Sequence, residues 1–438
     1  MTKVGQNFPM TRKARKEKLA QIKKGEPISM AKVPGKETRP VYKIPLGYLS
    51  YNPYNTRFLA QAKTLANRFG KPLSDEDPEH LKAIEKFIWE EKKDKNRSTI
   101  DSLIRDGQLQ PGVVTADGIV LAGNRRFRLL NEITRNPDEY QSLKISITGL
   151  DYFEAVILDE EQLDKKKIIE YESFYQFGIE DKVEYNPIQK YIAANDQKKA
   201  GFENVEIAMH FMSITKGKEP EVKKWLEVFD YMDEYLKYIE EKEIYTALDG
   251  REEAFLRLHS LIKGYRYGKS GNKIWAYSDF DLDDLKIVFF DYIRLNIPTH
   301  DFRIFKEIFS DEEHWKNFKK KENSIVNDEN NKVALFDDYR VEYPDEDESE
   351  ISIIRQNDYK SKVEKGLNRL YGIENGRIQS EKAQEFPLDV LKAIQQKLSK
   401  LEADMINNWN NETYESNEFI DVIRDIQKRV GRIKQKVD

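Results

Sequence analysis

Residues 107–133, GQLQPGVVTADGIVLAGNRRFRLLNEI, decide the fold of the first part of this chain. Two apolar runs flank an Asp-Gly pair, a pattern that is typical of a hairpin of two strands. The run that follows Gly123 places Phe127, Leu130 and Ile133 on one face of a helix. The sequence therefore predicts a corner at Gly123, where a strand passes directly into a helix.

Three arginines, Arg125, Arg126 and Arg128, lie near the start of this predicted helix. Cations are unfavourable at a helix N-terminus unless an anion compensates them. A phosphate suits this place, because free N–H groups at the helix start and guanidinium forks both bind its oxygens. Gly123 would let the backbone approach such a ligand closely. The alternative is that the arginines pair with nearby Glu or Asp side chains on the surface.

Composition narrows the class of protein. The chain has 438 residues, of which 39% are hydrophobic and 34% charged, enough for two or three domains. It has no long apolar run and no secretory signal pattern, so we expect a cytoplasmic protein that does not contact membranes. The absence of cysteine excludes disulfides, thiolate nucleophiles and cysteine-bound zinc. The histidines are scattered and predict no metal site: His80, His210, His259, His300 and His314.

Charge is unevenly distributed along the chain. Residues 1–42 hold eleven Lys or Arg against three Glu, which predicts a flexible basic arm. This arm is either a solvated tail or a segment that contacts phosphates. The acidic run within residues 336–352 predicts a solvated linker.

The predicted fold class is α+β, with a small mixed α/β domain at the N-terminus followed by a large all-helical region. Strand and helix patterns alternate up to about residue 160, and helical periodicity dominates beyond it. The predicted organisation is an arm (1–42), an α/β domain (43–160), a helical domain with a helix-turn-helix-like segment (161–240), a second helical domain (241–335), the acidic linker (336–352) and a C-terminal helical hairpin or coiled coil (353–438).

Three short motifs, in this order, carry a resemblance to a known family: NPYNTRF, GQLQPGVVT and GIVLAGNRRFRLL. The chain resembles the N-terminal domain of ParB-type partition proteins, which belong to the ParB/sulfiredoxin superfamily. The matching positions are Asn52, Pro53, Arg57 and Phe58, then Gly107, Gln108 and Pro111, then Gly123, Arg125, Arg126 and Arg128.

The resemblance implies a domain that binds a nucleoside triphosphate, CTP or ATP, together with Mg²⁺. The phosphates would lie at the corner formed by Gly123 and Asn124, where Arg125, Arg126 and Arg128 would hold them. Arg57 and Gln108 would border the nucleotide. Glu170 or Glu172 would coordinate the metal ion, since Mg²⁺ beside phosphates is bound by carboxylates.

The resemblance extends into a helix-turn-helix-like segment, YNPIQKYIAANDQKKAGFENVEIAMHFM, followed by a candidate recognition helix at residues 220–229. Lys216, Lys218, Lys223 and Lys224 would contact DNA, the first two through phosphates. Acidic residues in the same helix leave a plain helical packing module as the alternative. By the same resemblance, the C-terminal helices would form a homodimer.

Four features depart from the family pattern. Asn124 replaces an acidic residue that the family associates with nucleotide turnover, so the resemblance implies nucleotide binding and leaves hydrolysis, as by a weak NTPase, an open alternative. The family's second phosphate motif, Glu-Asn-x-x-Arg, is not cleanly present. An insertion surrounds EEKKDKNRS, and the absence of cysteine excludes sulfiredoxin chemistry.

Three functions follow from these patterns. The first is a ParB-like, nucleotide-binding DNA-binding protein that acts as a nucleotide-dependent switch or clamp. The second is a ParB-like nuclease, or an enzyme that hydrolyses a nucleotide or transfers its phosphate. The third is an interaction adaptor in a mobile-element or phage-defence system.

Overall fold

The computed structural model describes residues 10–33, 37–141, 149–159, 165–177, 186–268, 275–407 and 417–437. The chain divides into two compact units, residues 1–365 and 366–438. Within the described ranges, no helix combines the length and the apolar character needed to cross a bilayer.

A mixed sheet of six strands forms the N-terminal part of the first unit. The strands are β1 (Ser29–Lys32), β2 (Thr38–Pro45), β3 (Ser50–Tyr51), β4 (Gly112–Val114), β5 (Ile119–Ala122) and β6 (Tyr152–Ile157). Their order across the sheet is β1-β2-β6-β4-β5-β3. The β6–β4 and β5–β3 pairs are parallel, and the other neighbours are antiparallel.

Both faces of β4 and β5 are buried, which explains why these two strands are apolar at successive positions. In β2, Ile44 belongs to one core and Val41 to the other. The first core includes Phe127, and the second includes Tyr171. The helices of this region are α1 (Arg12–Ile22), α2 (Leu59–Phe69), α3 (Pro78–Glu91), α4 (Lys93–Asp106), α5 (Asn124–Arg135), α6 (Pro137–Gln141) and α7 (Lys165–Phe177).

The rest of the described chain is helical. Its helices are α8 (Ile188–Lys199), α9 (Asn204–His210), α10 (Met212–Thr215), α11 (Glu219–Tyr238), α12 (Glu252–Tyr267), α13 (Asp279–Arg294), α14 (Ile304–Phe309), α15 (Glu312–Val326), α16 (Phe336–Glu342), α17 (Glu348–Asn407) and α18 (Asn417–Val437). The predicted α+β class, a small mixed sheet followed by helices, is confirmed.

The prediction of a flexible basic arm over residues 1–42 is wrong for the described residues 10–33. The α1 helix packs on the domain, because Leu19 and Arg15 share a face and are both buried. The Arg15 guanidinium pairs with Asp75, and its Nε donates to the carbonyl of Asp117 at 2.8 Å. The β1 strand then extends the sheet beside β2. Residues 1–9 and 34–36 lie outside the described residues.

The predicted acidic linker at residues 336–352 is also wrong. This segment contains α16 and the start of α17, and Phe336 is buried. The Tyr339 hydroxyl donates to Asp358 at 2.5 Å, and the buried Glu348 pairs with Arg340 at 3.3 Å and with Arg68 at 3.8 Å. Charged residues here therefore make internal contacts. The α17 helix also continues through Pro387.

The attachment of α1 can be tested at Asp75. Replacing it in the Asp75→Asn variant should lower the free energy of unfolding by about 3 kcal/mol, because the Arg15 guanidinium stays buried without a carboxylate. The two side chains are 1% and 0% exposed, so solvent cannot replace the lost partner. Urea unfolding of the full chain measures the effect. The exposed neighbour provides the control, since Glu76→Gln should cost less than about 1 kcal/mol. Equal stability of the two variants would contradict this attachment.

Candidate functional site

The corner between β5 and α5 depends on a glycine. Gly123 has a φ of 97°, which favours glycine, and α5 starts directly after it. A Cβ at this position would lie 2.9 Å from Cζ of Phe153 in strand β6. The chain can therefore turn from strand to helix at this distance from the sheet only with glycine.

A cavity of about 440 Å³ opens at this corner. The corner itself forms one wall, and the ends of α3 and α4, the loop before α2 and one residue of α7 form the others. Among the described residues, its walls carry three arginines and one carboxylate, that of Glu91. The polar and turn residues in these walls are Asn55, Arg57, Glu91, Thr99, Ser102, Gln110, Gly123, Asn124, Arg125 and Arg126, and the apolar side chains include Phe58, Ile88, Leu103, Leu109 and Tyr175.

Arg126 is the cation with the least compensation in this cavity. One of its terminal nitrogens donates to the carbonyl of Gln110. Within the part of the chain that the structure describes, no carboxylate pairs with it. Burial lowers the pKa of Arg126 to about 10. The side chain is half-buried in the cavity wall, so an anion that reaches the guanidinium offsets the free-energy cost of this partial burial.

Arg125 and Arg57 are held by neighbouring groups in the same cavity. Arg125 donates to Oδ1 of Asn96 from Nε at 3.3 Å and from a terminal nitrogen at 3.2 Å. Burial lowers the pKa of Arg125. Arg57 pairs with Glu91 at 3.4 Å.

Asn55 is a cavity residue that sequence reasoning missed. Its side chain is fully buried, and its Oδ1 accepts the backbone N–H of Arg57 at 3.0 Å. Its Nδ2 has no hydrogen-bond partner among the described residues, so it leaves a buried donor in the cavity wall. The signal in the sequence was weak, because an Asn two residues before an Arg in NPYNTRF is explained by a turn alone.

Both polar atoms of the Asn124 side chain form hydrogen bonds with backbone groups at this corner. Its Nδ2 donates to the carbonyl of Val120 at 2.7 Å. Its Oδ1 accepts the backbone N–H of Asn52 at 3.4 Å. The side chain therefore ties the start of α5 to the loop that carries Asn55 and Arg57.

Of the predicted nucleotide-binding residues, the structure brings together Arg57, Gly123, Asn124, Arg125 and Arg126. It places Gln108 and Arg128 elsewhere. The Gln108 side chain bonds the backbone of β6, donating to the carbonyl of Glu154 at 2.6 Å and accepting its N–H at 3.1 Å. Arg128 pairs with Glu132 at 2.8 Å and lies over the ring of Trp89, so its positive charge is already compensated by a carboxylate.

The two predicted metal ligands lie in different environments. Glu172 is buried, and its Oε1 accepts the backbone N–H of Thr56 at 2.8 Å. Burial raises the pKa of Glu172 to about 8. Glu170 is 40% exposed and pairs with Lys167 at 3.0 Å. Neither lines the cavity, so as placed they do not fit a Mg²⁺ ion beside phosphates there. Among the described residues, no group of three acidic or histidine side chains could hold a metal ion.

The four predicted DNA-contacting lysines lie close together in the chain, between α10 and the first turns of α11. The turn is formed by Lys216 and Gly217, which have φ values of 54° and 72°. Lys216, Lys218 and Lys223 are exposed, and Lys224 is half-buried. The opposite face of α11 carries buried residues such as Trp225. The lysines thus share an accessible end of α11.

No protein-family model matches this sequence. The curated proteins and the solved structures with which it was compared give no match either. Function is therefore inferred from the cavity, its charges and the elements around it.

The environment of Glu172 generates a pH prediction. Because burial raises its pKa to about 8, the folded chain keeps a proton that the unfolded chain releases above its ordinary pKa of 4.5. Stability should therefore fall as the pH rises from 4.5 to 8, and level off above 8. The Glu172→Gln variant carries no such proton and should lose this slope, which makes it more stable than the natural chain at pH 8.5 by on the order of 3 kcal/mol.

Thermal unfolding at pH 5 and at pH 8.5 measures this difference. A Glu170→Gln variant is the control, because Glu170 is exposed to solvent and should change stability little at either pH. Parallel pH profiles for the natural chain and Glu172→Gln would contradict the raised pKa.

Proposed function

We propose that this chain is a ParB-like protein that binds CTP or ATP and uses the bound nucleotide as a switch on a DNA-binding helical module. The observation that carries the proposal is the Arg126 guanidinium, which burial disfavours and which no carboxylate of the described residues neutralises. The triphosphate of a nucleotide supplies the missing charge and several acceptor oxygens at once.

The geometry of the cavity fits the phosphate end of such a ligand. The start of α5 presents free backbone N–H groups, and Arg57, Arg125 and Arg126 surround them. Asn55 adds a buried donor that lacks an acceptor. A cavity of about 440 Å³ lies within the range of sites that enclose small ligands.

The apolar residues that line the cavity suit a nucleobase and ribose. Phe58, Leu103 and Tyr175 supply apolar and aromatic surface on which a flat ring can pack. Thr99 and Ser102 also line the cavity and can exchange hydrogen bonds with polar edges of the ligand. A lining that combines arginines with apolar side chains supports a nucleotide over free inorganic phosphate.

The α7 helix supports a connection between the cavity and the helices beyond it. Tyr175 of α7 lines the cavity. Ser173 of the same helix accepts a hydrogen bond from Gln197 of α8 at 2.8 Å, and Gln197 accepts one from His210 of α9 at 2.8 Å. A ligand that displaces Tyr175 would therefore act on α8 and α9, which pack against α11, the helix that carries Lys223 and Lys224. This is the coupling that a switch needs.

The C-terminal unit supports a second copy of the chain as a partner. The second half of α17 exposes Leu391, Ile394 and Leu398, which recur at spacings of three and four residues. In α18, Val430 and Ile433 are likewise exposed. Such stripes are typical of helices that pair, so we propose that these helices form the homodimer.

The corner at Gly123 and Asn124 supports nucleotide binding without hydrolysis. Asn124 replaces the acidic residue of the family pattern, and an amide cannot take a proton from water as a carboxylate can. Both of its polar atoms are also engaged by backbone groups. Mg²⁺ that accompanies the nucleotide would be held by the phosphates, since Glu170 and Glu172 lie outside the cavity.

The nucleotide site is tested by the Arg126→Ala variant. Titration of the full chain with CTP and with ATP in the presence of Mg²⁺ should give binding that weakens roughly 30-fold in this variant, because a charge-assisted contact to phosphate is lost. Thermal stability should stay the same or rise, since a desolvated charge is removed. Isothermal titration calorimetry measures both nucleotides.

Arg105→Ala is the matched control, because Arg105 is exposed at the end of α4 and pairs with Asp106 outside the cavity. Undiminished affinity in Arg126→Ala would refute this site. Release of phosphate or cleavage of a DNA strand in the same reactions would instead favour the enzyme hypothesis, and absence of any nucleotide binding would favour an adaptor.

DNA binding is tested by reversing the charge of Lys223 and Lys224 together. Changing both to Glu should weaken binding to duplex DNA by roughly tenfold or more, and should reduce the salt dependence of the affinity by about two phosphate contacts. Fluorescence anisotropy over a range of salt concentrations measures both quantities. The same double change at Lys320 and Lys321, which are exposed on α15, controls for net charge. Equal losses in the two variants would show that α11 is not the contact.

A further inference from the structure

The α3–α4 corner, defined as residues 91–96, forms part of the cavity wall and belongs to the segment that interrupts the family pattern. The α3 helix ends at Glu91 and α4 begins at Lys93. Lys92 lies between them with a φ of −139° and a ψ of 46°, which breaks the helix. Asn96, one turn into α4, is buried and donates to the carbonyl of Trp89 at 2.9 Å.

Two of the three cavity arginines are bound to this corner. Arg57 pairs with the Glu91 carboxylate at 3.4 Å. Arg125 donates twice to Oδ1 of Asn96, and a terminal nitrogen lies 3.5 Å from the carbonyl of Lys92. The corner thus offers a carboxylate, an amide oxygen and a backbone carbonyl to the cations that line the cavity.

These acceptors occupy the same donors that a phosphate group would use. The donors of a guanidinium are fixed in one plane, so Arg125 cannot keep both contacts to Asn96 and also present the same N–H groups to a phosphate. A phosphate is the stronger acceptor because its contacts are charge-assisted, whereas those to Asn96 and Lys92 involve neutral oxygens. The ion pair of Arg57 and Glu91 is partly exposed, at 25% and 18%, and such pairs are weak.

The Glu91 carboxylate has a second effect on an anionic ligand. It is the carboxylate that lines this cavity, and a phosphate bound by Arg57 would lie beside its negative charge. The repulsion between the two anions opposes binding as long as Glu91 stays in place. Movement of the α3–α4 corner away from the arginines relieves this repulsion and frees their donors together.

We propose that the α3–α4 corner is an internal competitor of the ligand, held by Arg57 and Arg125 when the cavity is empty and released when phosphates bind. This inference rests on the proposed nucleotide function of the same cavity. The end of α3 then changes its structure when a ligand occupies the cavity. Glu91 controls the affinity of the cavity for phosphates without contacting the ligand. The affinity of the cavity for phosphates then reflects a difference in free energy between the contacts of the arginines with the ligand and their contacts with the α3–α4 corner.

The experiment uses the full chain, inorganic tripolyphosphate as the probe and the variant Glu91→Gln. Calorimetry should show that Glu91→Gln binds tripolyphosphate roughly fivefold more tightly than the natural chain, because the competing ion pair and the repulsion are both removed. Glu90→Gln is the matched control. Glu90 is the adjacent residue, is 50% exposed and pairs with Lys93. The Glu90→Gln variant should therefore bind tripolyphosphate with the affinity of the natural chain.

Hydrogen exchange supplies a second measurement that a purely structural role of Glu91 would not reproduce. In the natural chain, tripolyphosphate should increase exchange at the backbone amides of residues 91–96. In Glu91→Gln these amides should exchange faster before the probe is added, and the probe should change them less.

Two results would overturn the competitor role while leaving the proposed function intact. One is unchanged or weaker binding in Glu91→Gln, and the other is increased protection of residues 91–96 in the natural chain on addition of the probe. In both cases the natural chain binds tripolyphosphate, and Arg126→Ala binds it roughly 30-fold more weakly. If the natural chain binds neither tripolyphosphate nor a nucleotide, the proposed function itself fails.

Discussion

The Arg126 guanidinium at the start of α5 is the constraint on which the cavity depends. Its position follows from Gly123, whose left-handed φ and missing Cβ let α5 begin directly after β5 and close to Phe153. Burial lowers the pKa of Arg126, and its guanidinium donates to the carbonyl oxygen of Gln110. An anion with several oxygens removes this free-energy cost more completely than any neutral ligand, since it supplies both charge and acceptors.

The same corner is joined to the rest of the first unit through short polar contacts. Asn124 holds the loop that carries Asn55, and Glu172 of α7 accepts the N–H of Thr56 from that loop. Further contacts connect α7 to α8 and α9 through Gln197. A change in the loop therefore has a route to the helical module through named hydrogen bonds, and each of these bonds would have to have two arrangements for the route to act as a switch.

The sequence predicts the parts of this site that depend on local pattern. The glycine corner, the apolar face of α5 and the grouping of Arg57 with Arg125 and Arg126 could be inferred from short motifs. The roles of side chains at the edges could not. Arg128 is adjacent to the other arginines in sequence, yet it lies further along α5, where Glu132 and Trp89 are within reach. Gln108 bonds the backbone of β6, a partner that only the folded sheet brings to it.

Charge patterns were the weakest guide, because they do not show which charges are neutralised by partners distant in sequence. The lysine-rich segment that contains α1 indicated a flexible arm, but Arg15 meets Asp75 sixty positions away. Likewise, nothing in EEKKDKNRS shows that Glu91 and Asn96 reach the cavity arginines. These contacts explain how three arginines can line one cavity. Arg57 and Arg125 are bound to the α3–α4 corner. Arg126 has no carboxylate partner among the described residues, and its charge therefore favours the binding of an anion.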